Sequence, residues 1–285
     1  MLKKIDRAHQ FLTEDQALFR CPLCHEDCQT TPTGLSCVNN HRFDLSKKGT
    51  LYFLDHGIKT EYDQAMFAPR GRMIHSGMYQ PVIDLLKKQL PEQAKILDVG
   101  CGEGSFLQSI IEDEPVQRAV GFDISKEGIY LATNQPSQVF WCVADLTNLP
   151  FRNQTFTTIL NIFSPSHYHE FSRVLEDEGT VLKIVPQSGY LKELRQAFYP
   201  DQPEKQTYSN ERVVAKFEES LELVERQRVT YIFDIPEQNR QDLLAMSPLE
   251  WQVAPEVREQ LRKNPLEKIT IDVELLKGTK SKRFQ

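Results

Sequence analysis

Over the last two thirds of the chain, apolar positions switch between two periods. Short apolar runs fall at 95–99, 118–122, 138–143, 156–162 and 179–185. Each is brief enough for a buried strand and is bounded by turn-forming residues. Helical spacing appears between and around them, first in Pro81-Val-Ile-Asp-Leu-Leu-Lys-Lys-Gln-Leu90, later near 188–198 and 209–219. Two further strands, near 226–233 and 267–276, bring the number to seven. Strand and helix in alternation predict an α/β, Rossmann-like architecture: a mostly parallel sheet with helices on both faces and a ligand crevice at the carboxyl ends of the strands. Residues 56–80 carry no clear period and read as a linker that reaches over that crevice. No internal repeat or low-complexity tract interrupts the pattern.

Candidate chemistry sits where the apolar runs stop. The first run ends in Lys95-Ile-Leu-Asp-Val-Gly-Cys-Gly-Glu-Gly104, which places Asp98 ahead of Gly100, Gly102 and Gly104 at alternate positions. Such spacing lets the backbone turn sharply at a strand end and leaves room for a ligand against the main chain. Dinucleotide-binding proteins use G-x-G-x-x-G instead. The tighter spacing after an acid resembles the first motif of S-adenosylmethionine (SAM)-dependent methyltransferases. The second run, Ala119-Val-Gly-Phe-Asp123, places a carboxylate where ribose hydroxyls would be received, and the third ends in Asp145, suited to the adenine amino group. At the end of the fourth strand, Asn161-Ile-Phe-Ser-Pro165 offers Asn161 and Phe163 as a hydrogen bond and a stacking face for an accepting base. His167 and His169 open the next helix and are expected on the surface. No general base is assigned.

Composition narrows the class. With 285 residues and 40% apolar content, the chain can bury one large domain plus a small one. No run of eighteen apolar residues occurs and the first residues lack a secretory core, so a soluble, cytoplasmic protein without a membrane partner is expected. The net charge of −6 argues against wholesale binding to nucleic acid, DNA included. The balance is uneven, however: residues 1–95 carry 13 Lys/Arg against 11 Asp/Glu, and the remainder 21 against 29. Local basic candidates are Arg42, Lys47 and Lys48, then Arg70 and Arg72, then Lys277, Lys280, Lys282 and Arg283.

Six cysteines in such a chain are not expected to pair as disulfides. Cys21, Cys24, Cys37 and His41 instead form C-x2-C-x12-C-x3-H, two close ligand pairs suited to a closed, structural, tetrahedral zinc. Cys28 is the competing fourth ligand; His25 is expected to face outward. Residues 15–55 have too little apolar surface to fold unaided, so metal binding is the natural source of their stability.

The cysteine-histidine knuckle, Tyr79-Gln-Pro81, the Asp98 to Gly104 loop, Gly121-Phe-Asp-Ile-Ser125 and Arg173-Val-Leu175 ahead of Gly179 together resemble the RlmA family. These bacterial enzymes methylate N1 of a guanine in a hairpin of 23S ribosomal RNA. The similarity covers nearly everything beyond residue 20. It implies the SAM-dependent methyltransferase fold with a small N-terminal zinc-binding domain, divided as 1–20 extension, 21–55 zinc domain, 56–80 linker and 81–285 methyltransferase domain. It also implies SAM contacts at Tyr79, Phe106, Leu107 and Tyr190, a homodimer, and an RNA hairpin as partner. Of the family's two branches, the one linked to macrolide resistance is expected. Two alternatives stay open: a small-molecule methyltransferase, and a SAM-sensing RNA-binding protein without catalysis.

Overall fold

A computed structural model describes residues 2–58, 61–112, 114–136 and 138–281. The chain opens with helix α1 (Lys4–Glu14), a hairpin and third strand β1 (Cys28–Thr31), β2 (Gly34–Cys37) and β3 (Arg42–Asp44), and a two-residue strand β4 (Leu51–Tyr52). Helices α2 (Gln64–His75) and α3 (Gln80–Lys87) precede β5 (Ala94–Val99), α4 (Ser105–Ile111), β6 (Val116–Asp123), α5 (Lys126–Ala132), β7 (Phe140–Val143) and β8 (Phe156–Ile162). Then follow α6 (Tyr168–Val174), β9 (Leu175–Pro186), α7 (Lys192–Phe198), α8 (Pro203–Gln206), α9 (Glu211–Ser220), β10 (Leu221–Asp234), α10 (Arg240–Ala245), α11 (Pro255–Lys263) and β11 (Lys268–Lys280).

The main sheet runs β10-β11-β9-β8-β5-β6-β7-β4. Every pairing from β9 to β4 is parallel, whereas β11 lies antiparallel between β9 and β10. The strand order reverses between β5 and β8, where the connections leave to opposite sides and open a crevice. The seven expected strands all form, and the short β4 adds an eighth at the edge.

The central strands read as unbroken apolar runs because both faces are covered. Alternate side chains feed two cores. Ile96, Leu160, Leu182 and Ile184 join a cluster under α3, α4, α7 and α10. Leu97, Ile159, Val181 and Val185 join another that contains Leu12 of α1, Phe19, Cys21, Cys28, Leu51 and Phe53. The cysteine-rich segment therefore covers part of one sheet face. Phe19 bridges Phe151 in antiparallel fashion, its N-H neighbours hold the docking (Arg20 N to Pro150 O, 3.1 Å; Arg152 N to Leu18 O, 2.9 Å), and its ring packs against Phe53, Phe140 and Phe151.

The expected linker 56–80 is not without structure, for it contains α2. Asp63 caps this helix by accepting from Met66 N at 3.1 Å. Periodicity misses it because Met66, Phe67, Pro69, Gly71, Met73 and Ile74 are buried around most of its circumference, and a helix covered on several sides shows no apolar stripe. Likewise the helix expected from 188 starts only at Lys192, since Gly189 N donates to the Asp272 carboxylate and Leu191 takes a left-handed conformation. Among the described residues no helix is long and apolar enough to cross a membrane.

Candidate active site and metal centre

The two cysteine turns are built alike. Cys21 O accepts from His25 N (2.8 Å) and Cys37 O from Asn40 N (2.9 Å), and His25 and Asn40 both adopt positive φ, 64° and 62°. Each turn thus folds its ligands to one side. The donor atoms of Cys21, Cys24, Cys37 and His41 lie within 4.8 Å of one another. Cys24 Sγ to Cys37 Sγ is 3.6 Å, and His41 Nδ1 is 3.4 Å from both Cys21 Sγ and Cys37 Sγ. A tetrahedron with metal-sulfur bonds of about 2.3 Å has edges of about 3.8 Å, so the set fits zinc with no position left for water. Backbone N-H donation from Glu26, aided by the Asn39 side chain, draws the Cys24 thiol down to about 6, favouring the thiolate a metal needs. Cys28, the competing ligand, is buried opposite Cys37 in the hairpin and pushed up to about 12, chiefly by burial. It packs as a core thiol. His25 is exposed, as expected.

At the strand carboxyl ends lies a cavity of about 260 Å³. Asp98, Gly100, Gly102, Phe106, Asp123, Asp145 and Phe163 all line it. Gly102 has φ of 56°, and a Cβ there would meet the Phe67 ring at 2.8 Å, so only glycine permits this turn. Its N-H donates to Asp123 Oδ2 (2.9 Å) while Ser125 N donates to Oδ1 (2.8 Å), fixing that carboxylate at the rim.

Four expected contacts lie elsewhere. A Cβ on Gly104 would strike Trp141 at 2.6 Å, so this glycine serves helix-sheet packing. Leu107 is wholly buried in the apolar core. Tyr79 and Tyr190 share a hydroxyl hydrogen bond of 2.6 Å one layer behind the wall, where Tyr190 stacks on Phe163 (5.3 Å) and Tyr79 packs against Phe106 (5.1 Å). Asn161 also leaves the cavity. It is 0% exposed, and its amide is spent within its own loop: Nδ2 donates to Ser164 Oγ (2.6 Å) and Pro165 O (2.8 Å), while Oδ1 accepts from Ser166 Oγ (2.7 Å) and the Lys183 ammonium. Phe163, at φ 54°, is held in the wall by that network.

Sequence reasoning missed the contribution of α2, which supplies Phe67 and Arg70, and of Tyr62 just before it. The helix is tied across the crevice. Gln64 N donates to Glu127 (2.8 Å), Ser125 Oγ to Tyr62 O (3.1 Å), and Arg72 makes a two-pronged bond to Asp242 (3.0 and 2.6 Å). The pairing of Arg70 with Arg72 in the sequence is therefore no shared basic patch. In the tail, Lys277 donates to Gln89 and Lys280 to Asp177, and Lys282 and Arg283 lie outside the described residues. His169 is exposed, while His167 caps α6.

Burial dominates the electrostatics. Asp98 is pushed up to about 8 by burial and then by the Asp123 and Glu103 carboxylates, with Arg70 pulling it back. Burial also raises Glu103 and Asp123, opposed by their hydrogen bonds and Arg70. Asp98 Oδ2 is buried without a hydrogen-bond partner. An unsatisfied buried carboxylate oxygen is costly. A cavity with an excess of buried acid is suited to a cationic ligand, and SAM carries both a sulfonium and an ammonium. The residues present thus fit the cofactor.

A SAM-dependent methyltransferase with a structural zinc ribbon is the class that this fold and these two centres define. Comparison with known proteins agrees: residues 96–184 match a methyltransferase domain model, and residues 19–54 match the model of the RlmA N-terminal zinc ribbon. The chain is 36% identical over 281 residues, 94% of its own length and 99% of the other, to the "Putative 23S rRNA (guanine-N(1)-)-methyltransferase YxjB" of Bacillus subtilis (strain 168). It is 30% identical over 183 residues, 61% of this chain and 65% of the other, to the 23S rRNA (guanine(748)-N(1))-methyltransferase of Streptomyces fradiae. The chain belongs to the RlmA family. Among solved structures, the complex of the Haloferax volcanii Trm112 methyltransferase activator with a methyltransferase shares the fold at a TM-score of 0.52 and 18% identity, over 78% of this chain and 99% of that one.

Proposed function

We propose that this protein transfers a methyl group from SAM to N1 of a guanine in a hairpin of 23S ribosomal RNA, acting in the cytoplasm as a homodimer. The names of its two relatives supply the substrate. The observation that carries the reading is a single cavity joining a cofactor half of acid and glycine to an aromatic half. On the cofactor side, Asp98 and Arg70 suit the ammonium and carboxylate of the methionine tail, Asp123 the ribose hydroxyls and Asp145 the adenine. On the acceptor side stand Phe163, Ser164 and Pro165, while Tyr62 lines the same cavity from the segment before α2, its carbonyl accepting from Ser125. Tyr62 is 43% exposed and Trp251, edge-on to it at 5.4 Å, is 41% exposed, so a base entering the mouth meets aromatic faces.

Guanine N1 carries a proton and pairs with cytosine, so the base must leave its stack and lose that proton before attack. Extrusion costs a few kcal/mol, less in a loop. Bound SAM supplies an already electrophilic methyl, which leaves positioning and proton removal to the chain. Phe163 and Tyr62 orient the ring, Asn161 and Lys183 hold the Phe163 loop still, and Phe67 and α2 shield the reacting centre from water.

The test is methyl transfer to rRNA from a strain lacking the enzyme, mapped as a reverse-transcriptase stop at a guanine. We expect one stop in a large-subunit hairpin; incorporation into small molecules with no stop would overturn the reading.

A further inference from the structure

Residues 2–20 line neither centre, yet α1 is firmly seated, with Phe11 stacked on Phe140 at 4.8 Å. A second cavity, of about 200 Å³, lies between α1, the turn at 46–50, Thr133 and Gln135 just after α5, and the start of β7. Lys4, Arg7 and Lys48 line it. Gly49 explains how they meet. It has φ of +74°, and a Cβ there would meet Lys4 O at 2.5 Å and Ala8 Cβ at 3.0 Å, so only glycine lets this turn lie directly on the first turns of the helix.

The charges brought together are mostly positive: Lys4, Arg7 and Lys48 line the cavity with Glu14 as its one carboxylate, and Lys126 lies beyond it. Lys4 Nζ donates to the neutral acceptors Asn134 Oδ1 (2.9 Å) and Thr133 Oγ1 (3.4 Å). The ammonium groups of Lys48 and Lys126 both sit over the Tyr130 ring, 5.6 and 5.3 Å from its centre. Among the described residues Lys4, Lys48 and Lys126 form no ion pair with a carboxylate, and burial, Lys48 and Arg7 all disfavour the Lys4 charge. Glu14 lines the cavity from the last turn of α1, and Glu127, beside Lys126, accepts from Gln64 N. Lys126 opens α5 directly after Ser125 and Asp123, at the rim of the cofactor cavity. On a chain of net charge −6, a row of cations running from α1 to that rim is unfavourable without an anion to face it.

The geometry points to a phosphodiester-binding track formed by Lys4, Lys48 and Lys126, with Arg7 and Tyr130 between them, which receives the RNA backbone beside the target hairpin. This rests on the proposed function and names a docking site for its substrate. Phosphate contacts of this kind set orientation while the loop supplies identity.

Steady-state kinetics on an RNA hairpin transcript would test it, using the full-length, zinc-loaded protein, the variant K4Q/K48Q/K126Q and the charge-preserving variant K4R/K48R/K126R. For the Gln variant we expect KM for RNA to rise about tenfold, kcat and SAM affinity to stay unchanged, and the slope of log affinity against log salt to fall by about 2, since each lost phosphate contact removes about 0.7 to 0.9. The Arg variant should stay within about twofold of wild type in KM. Wild-type KM and salt slope in the Gln variant, while the wild type methylates the hairpin, would overturn the track. Loss of thermal stabilisation by inorganic phosphate without a change in RNA KM would overturn it too, assigning a free-anion site. If the wild type neither binds nor methylates the hairpin, the functional reading falls and the track with it.

Discussion

The metal centre and the cofactor cavity are built in opposite ways. The zinc donors span 21 consecutive residues, Cys21 to His41, and two tight turns aim all four. The cavity draws on residues from Tyr62 to Pro165, spread over α2 and the ends of four parallel strands. A site made by turns needs few partners beyond its metal, whereas a site made by strand ends exists only once the sheet has formed. Yet the ribbon is not a free appendage. Its Cys21 and Cys28, with Phe19, Leu51 and Phe53 flanking it, complete one core of the sheet.

The largest expected effect comes from breaking the metal centre. Zinc binding in such modules is worth about 10 kcal/mol or more of folding free energy. Cys21→Ser should lose the metal and lower the melting temperature by about 15 to 20 °C, because Phe19 and Phe53 lose their anchor. SAM affinity should change only a few-fold, since no ribbon residue lines the cavity. Metal analysis, thermal unfolding and calorimetry check this; loss of SAM binding together with zinc would mean the two centres are one cooperative unit.

Asp98→Asn should act in the opposite sense, keeping the zinc while weakening SAM by about 100-fold, as removing one partner of a buried charge pair typically does. Its pH dependence sharpens the contrast. The folded Asp98 is raised to about 8 from the ordinary 3.8, so the folded state holds the proton longer than the unfolded one. Its contribution is full below about pH 4 and is lost as pH rises toward 8. The ligand-free protein should therefore melt progressively lower from pH 5 to 8, and the Asn variant should lack that part of the slope. An identical slope in both would remove Asp98 as its source. A smaller effect is expected from Arg70→Gln, about tenfold in SAM affinity with unchanged zinc content, if Arg70 holds the cofactor carboxylate. Unchanged affinity would leave α2 as a cover alone.

Spacing was enough wherever the chemistry is local. The C-x2-C-x12-C-x3-H set and the Asp98 to Gly104 loop are legible because a tight turn or a strand end forces neighbours in sequence to be neighbours in space. The seven main strands were legible too, since burial on both faces leaves unbroken apolar runs. Only the folded chain decided the rest. α2 has no amphipathic stripe because several elements bury it, so its Phe67 and Arg70 could not be seen as cavity residues. Asn161 looked free at a strand end until Ser164, Ser166 and Lys183 took up its hydrogen bonds. Gly104 looked like its two fellow glycines, but Trp141, 37 positions further on, claims its space. Period and spacing record what a residue's own turn or strand demands; which side chain fills the space facing it depends on segments far along the chain that only the closed sheet brings into contact.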